Sequence, residues 1–309
     1  MTGATTTRRE GLGSAAREMT VLGPRLVAYN LGFLALVWGV AIGAIALFWT
    51  HQRWYTFVLA FLVVSSRQQA LVNCAHEAVH RKFLPSRRAN DFVGTFLCAS
   101  PVGSPFGAAR ARHLSHHRLL GDGDDPDREL YDGPGKRTRK GLARHFIGGL
   151  LGGYAGMVLM GPPAARSARS TGSAQRDLVS LVLTQIAIAT AFTLLTAWWL
   201  YPALWLIPLA TVTTLCHLIR SFVEHAVTDA EMVDHDNRLI TIRSNLIERF
   251  LVSPYNMNYH AEHHLVPSVP ACRLKQLQEK VATRDDTPPV LVRTSYGQAI
   301  RRYVSALPD

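Results

Sequence analysis

Apolar and polar positions in this chain separate into long blocks. Val27 to Trp49 runs 23 residues without a charge, long enough for a helix to cross a hydrocarbon core of about 30 Å. Leu178 to Ile219 is uncharged for 42 residues, room for two spans, with Tyr201-Pro202 as the predicted turn. Trp54 to Val64 is shorter, and becomes a span only if its helix continues through Ser65, Arg67 and Gln69 toward His76. Arg67 should then face a cavity or a partner, because a lipid-facing guanidinium is costly. Asp91 to Phe106 is apolar but broken by Ser100-Pro101 and Ser104-Pro105, and Phe146 to Met160 is glycine-rich. Both read as re-entrant or interfacial elements. In the tail, Leu274, Leu277 and Val281 recur at helical spacing. The pattern predicts an all-α integral membrane protein with about four transmembrane helices in two hairpins and a helical cap. Its expected divisions are an N-terminal segment over 1–26, a membrane domain over 27–270 and a tail over 271–309.

Charge placement orients this arrangement. The net charge is +11. Arg8, Arg9, Arg17 and Arg25 precede the first block, whereas the connector after it carries only Arg53 and the Tyr201-Pro202 turn carries no charge. Further basic clusters fill 81–88, 110–118, 136–144 and 238–249. The positive-inside rule then puts both termini and the cap on the cytoplasmic side. Basic and aromatic residues do not interleave, and no recognition motif is present, so a nucleic-acid partner is not expected. Cys74, Cys98, Cys216 and Cys272 are far apart and read as packed small side chains. The 28 Arg against 5 Lys point to GC-rich coding and a bacterial source, hence a bacterial inner membrane.

Nine of the 13 histidines fall in four clusters beside the apolar blocks. They are His76 and His80, then His113, His116 and His117, then His225 after Glu224, then His260, His263 and His264. On a helix, residues three and four apart share a face, so each cluster turns its imidazoles one way. So many converging neutral nitrogens suit transition metals. His76-Glu77-x-x-His80 also matches the zinc-protease pattern of two ligands and a glutamate base. A membrane zinc protease is therefore an alternative, but it needs one further ligand and leaves the other histidines without employment. Nine imidazoles suit two metals. A metal at the mouth of an apolar cleft suggests an aliphatic substrate, and attack on an unactivated C–H bond requires oxygen activation, which favours iron over zinc. A metal transporter should carry ionisable residues in mid-span, and the runs 27–49 and 178–216 offer none.

From about residue 71 to 270 the sequence resembles the integral-membrane fatty acid desaturase and hydroxylase superfamily of non-haem diiron enzymes. The resemblance rests on three histidine boxes in order, with two spans between the second and third. Arg220 to His225 and Asn258 to Pro270 look like the ceramide desaturase and carotenoid ketolase/hydroxylase side of that group. The first histidine pair has three intervening residues where many acyl-CoA desaturases have four. Carried over by position, the resemblance implies that His76, His80, His113, His116, His117, His225, His260, His263 and His264 bind two Fe ions. His217 lies eight residues before His225 and is an alternative to it. Dioxygen would be the co-substrate and a fatty acyl lipid the substrate, desaturated at a methylene; hydroxylation or carotenoid-type ketolation is the alternative outcome.

Nine neutral ligands leave metal charge to be offset further out. Glu77, Glu224 and Glu262 sit within or against the clusters and are candidates to orient imidazoles or bind water, with Asp124 and Asp125 of the acidic run after Gly121 as further candidates. That run resembles the opening of a calcium loop, but Pro126 and a missing bidentate Glu argue against one. The sequence shows no haem-binding extension, iron–sulfur cysteine set or dinucleotide fingerprint. Electrons are thus expected from a separate ferredoxin or cytochrome with its reductase. His51, His145 and His235 are expected in connectors or polar loops, without a role.

Overall fold

A computed structural model describes residues 16–154, 156, 171–234, 237–284 and 287–308. The first hairpin is α1 (Pro24–His51) and α2 (Trp54–Val79). Pro24 starts α1 directly after Gly23, where its fixed φ suits the first helical turn. One stripe of α1, Leu34, Val37, Ala41, Ile45 and Phe48, is buried, while Leu31, Leu36, Ile42 and Leu47 are exposed and apolar, as a lipid-facing side requires.

Helix α2 does continue past Val64, and its second half is polar and buried. Three of its polar side chains, Arg67, Gln68 and Asn73, find partners from other segments, whereas the Gln69 amide is buried without one. Gln68 donates to the Trp205 carbonyl (2.8 Å) and Asn73 to that of Pro254 (2.7 Å). The Arg67 guanidinium lies 4.2 Å over the Phe250 ring and donates to the Phe250 carbonyl (3.1 Å), so it avoids lipid. Such satisfaction is what makes polar residues tolerable at membrane depth.

Next comes α3 (Arg87–Val93), which widens into a π-helical stretch, Gly94–Ala99, and ends in a 3₁₀ turn, Ser100–Val102. The chain then bends by 94° into α4 (Phe106–Leu119). The stretch 91–106, expected to be re-entrant or interfacial, is one arm and the corner of this bent helix pair. Its corner depends on Gly94, where a Cβ would lie 2.6 Å from the Phe106 ring and 2.7 Å from Ala78 Cβ.

Beyond α5 (Arg139–Leu150), the second hairpin is α6 (Thr171–Leu195) and α7 (Pro202–Val223). Tyr201-Pro202 does not form the turn. The reversal occupies residues 196–199, and Pro202 sits in the first turn of α7, where its missing N–H costs no hydrogen bond. The glycine-rich run 146–160 begins inside α5, and its later part lies mostly outside the described residues. His145, expected in a loop, is buried within α5 against the Tyr154 ring (5.0 Å).

The cap adds β1 (Ile240–Ile242), α8 (Leu246–Leu251), α9 (His260–Leu265), α10 (Leu274–Val281), β2 (Leu291–Arg293) and α11 (Tyr296–Ser305). The two short strands pair in parallel, Ile240 opposite Leu291. Leu274, Leu277 and Val281 are buried in the same core as α1 and α2. A second core joins Phe222 and Val223 to Ile240, Ile242, Tyr296 and Tyr303. The protein is an all-α integral membrane fold, and among the described residues four helices are long and apolar enough to span.

Gly94→Val should lower the thermal unfolding temperature in detergent, at a cost of about 1–3 kcal/mol for overpacking. A wild-type melting temperature would show that the bend does not need this close approach.

Candidate metal centre

All four histidine clusters sit at one end of the bundle, because α2 and α7 both finish there. His76 lies in the last turn of α2, with His80 as its C-cap. Arg110 of α4 donates to the carbonyls of Ala78 (2.9 Å) and Val79 (3.1 Å), tying α4 to the exposed end of α2, and pairs with Asp91 (2.6 Å). At the start of α4, the Asp177 carboxylate of α6 accepts from Gly107 N–H (2.9 Å) and Ala108 N–H (3.0 Å). That caps the helix dipole from another span. These contacts fix the direction in which α4 presents its histidines.

The clusters then divide into two groups, and within each the potential ligand nitrogens lie within 4.8 Å of one another. The first contains His76, His80, His113, His117 and His263; the second contains His116, His225, His260 and His264. The division follows helical spacing. On α4, His113 and His117 turn to the first group and His116 to the second; on α9, His260 and His264 turn to the second and His263 to the first. The groups adjoin, with the His117 and His264 rings stacked at 4.1 Å. His217 belongs to neither; it lines the neighbouring cavity, 3.5 Å from Ser221 Oγ.

Nitrogen spacings fit ions of this type. His117 Nε2 lies 2.9 Å from Nε2 of both His113 and His263. His225 Nε2 lies 3.2 Å from that of His116 and 3.0 Å from that of His260, which is 3.1 Å from His264. Imidazoles bound at about 2.1 Å and at right angles around one ion would place their nitrogens about 3.0 Å apart. Both ring nitrogens of His76 and Nε2 of His80 are buried without a hydrogen-bond partner. Burial also holds the His260, His263 and His264 imidazoles well below their usual pKa, so they are uncharged and offer lone pairs. The residues present therefore fit a pair of transition-metal ions.

Carboxylates and carbonyls orient the second group from behind. His116 Nδ1 faces Asp125 Oδ1 at 2.9 Å, and the Tyr131 hydroxyl donates to Asp125 Oδ2 at 2.5 Å. Burial alone would raise the Asp125 carboxyl, but its bonds with His116 and Tyr131 hold it below its usual pKa. His225 Nδ1 faces the Arg238 carbonyl (3.2 Å). His260 Nδ1 lies 3.3 Å from Glu224, which also pairs with Arg220 (2.9 Å) and accepts from the Tyr296 hydroxyl (3.1 Å). Burial pushes the Glu224 carboxyl up to about 7 even beside Arg220. Glu77 and Glu262 are placed differently. Glu77 accepts from the Ala271 N–H (3.0 Å), and Glu262 from the Thr241 hydroxyl (2.5 Å). Glu77 does not line the cavity beside the histidines, so the zinc-protease alternative lacks its base. Asp124 is exposed, whereas Asp125 turns inward.

Sequence reasoning passed over Tyr131, the Arg238 carbonyl, Asp177 and Tyr296. Only Tyr131 left a local signal, as an aromatic after Leu130 close behind the acidic run. A cavity of about 120 Å³ opens onto both groups, lined by His76 and His113 of the first and His116, His225 and His260 of the second. Val72, Ala75, Val79, Val102, Phe106 and Leu209 form its apolar side.

Comparison with known proteins agrees with this geometry. Residues 52–295 match the model of the fatty acid desaturase family. The dihydrorhizobitoxine desaturase of Bradyrhizobium elkanii is 25% identical over 243 residues, covering 73% of this chain and 68% of that protein. The zeaxanthin 4-ketolase of Chlamydomonas reinhardtii is 30% identical over 123 residues, 38% of this chain and 27% of that protein.

Asp125→Ala should weaken ferrous-ion binding at the four-histidine group by about 10–100-fold, the usual effect of losing a carboxylate behind a ligating imidazole. Glu262→Gln, whose carboxylate faces Thr241 rather than an imidazole nitrogen, should weaken that binding far less. Equal effects of the two variants would refute the orienting role of Asp125.

Proposed function

The chain belongs to the fatty acid desaturase family, and on that premise we propose that it is an oxygen-dependent diiron oxidase that desaturates a lipid acyl chain. It is an oxidoreductase of the membrane desaturase and oxygenase superfamily. The division of nine imidazoles into adjoining groups of five and four is the observation that carries the diiron reading. In it, His76, His80, His113, His117 and His263 hold one iron, and His116, His225, His260 and His264 hold the other. When bound, the irons supply reductive activation of dioxygen, which cleavage of an unactivated C–H bond requires.

The protein's own residues position and exclude. Val72, Ala75, Val79 and Phe106 offer an apolar bed beside the histidines that favours a hydrocarbon segment over water. Asp125 and the Arg238 carbonyl act as positioning groups, since a bond at Nδ1 leaves Nε2 as the free donor atom, and Glu224 places its charge 3.3 Å from His260 Nδ1. Glu77 and Glu262 anchor the start of the tail and β1, holding the first and last boxes in register.

The reducing partner in this reading is a separate ferredoxin or cytochrome with its reductase. Exposed Arg87, Arg88, Lys140 and Arg144 would suit an acidic carrier docking on the cytoplasmic face of a bacterial inner membrane. A second reading, hydroxylation or ketolation, is favoured by the polar part of the cavity lining and by the similarity to a ketolase.

Lipid profiles of cells expressing the wild type and His116→Ala should differ by a double bond that the variant fails to introduce. A hydroxyl or keto group lost instead would select the second reading. Identical profiles, with both proteins inserted in the membrane, would refute an oxidative role.

A further inference from the structure

The polar part of the cavity lining is not that of a hydrocarbon tunnel. It is formed by Arg112, Asp127, His217, Arg220, Ser221 and Glu224. The charges cancel in pairs: Arg112 Nε lies 3.4 Å from Asp127 Oδ1, and Arg220 pairs with Glu224 at 2.9 Å. What remains is neutral. His217 Nε2 lies 3.5 Å from Ser221 Oγ, and His217 Nδ1 is buried with no hydrogen-bond partner. A passing alkyl chain would leave that nitrogen unpaired, whereas a hydroxyl can both donate to and accept from such a pair. A free carboxylate would face two guanidiniums already neutralised, which disfavours it.

The position of this pair relates it to the oxidising centre. Ser221 and His217 precede His225 by four and eight residues, or about 6 and 12 Å along a helix at 1.5 Å per residue. We propose that the substrate carries a hydroxyl several carbons from the position that is oxidised, held by His217 and Ser221 while the more distant carbons lie over the histidines. The inference rests on reading the nine histidines as that oxidising centre. It narrows the lipid to a hydroxylated one and makes His217 and Ser221 specificity-determining residues. A site built to bond a hydroxyl discriminates strongly against the analogue lacking it, because its own polar groups are then left unpaired.

Binding can be measured without turnover, on the purified protein in nanodiscs kept free of dioxygen, by thermal stabilisation. The probes are a long-chain alcohol, the alkane of the same length and the fatty acid of the same length, at equal mole fractions in the lipid. The alcohol should stabilise the wild type at a mole fraction at least tenfold below that needed for the alkane. Ser221→Ala and His217→Phe should each erase most of that preference while leaving the alkane response unchanged. Iron uptake by each variant, equal to wild type, serves as the check on folding. Equal responses to alcohol and alkane, a preference surviving both substitutions, or tightest binding of the fatty acid would each overturn the proposal. A wild type that binds the alcohol selectively yet takes up no iron would instead sink the diiron reading alone.

Discussion

A buried imidazole nitrogen facing other imidazole nitrogens can be satisfied by a shared proton or by an ion. A proton serves one pair only. Here His117 Nε2 is equally close to two neighbours, and His116, His225, His260 and His264 form a chain of Nε2 contacts at 3.0–3.2 Å. Around His117 one proton cannot serve both contacts, and in the other group the Nδ1–H bonds of His116 to Asp125 and of His225 to the Arg238 carbonyl leave the two facing Nε2 atoms both without a hydrogen. A cation at the centre of each group would satisfy these nitrogens, and the rest of the fold serves to assemble the groups.

That assembly explains features that would otherwise be liabilities in a membrane. Helix α2 carries a polar, buried second half because it must end in His76 and His80 while packing against α7 and the cap. The 94° bend before α4 brings the second box beneath the bundle, and Arg110 and Asp177 fasten both ends of the approach. The tail reaches the centre from the far side, through Ala271 to Glu77 and through Tyr296 to Glu224. Cap and spans are thus coupled through two carboxylates, Glu77 on the helix that carries His76 and Glu224 beside His260.

Much of this was legible in the chain. Uncharged runs marked α1, α6 and α7, and the expectation that Arg67 would avoid lipid followed from the cost of exposing a guanidinium. The three- and four-residue histidine spacing announced shared helix faces, but it did not reveal that His116 and His263 turn away from their neighbours toward the other group. That division depends on the relative rotation of α4 and α9, a tertiary property. The turn near residue 200 was misplaced because proline suits both a reversal and the first turn of a helix. His145 looked like a loop residue because basic neighbours masked the amphipathic pattern of α5. Asp125 and Asp124 were indistinguishable in sequence, and only loop geometry chooses between them. Tyr296 and Asp177 lie far from any box, so no local pattern could have linked them to the site.

Metal analysis combined with iron-edge X-ray absorption on the purified protein tests the central claim most directly. The account predicts two iron ions per chain, each surrounded by nitrogen ligands from histidine. A single zinc per chain, or iron held mainly by oxygen, would contradict it.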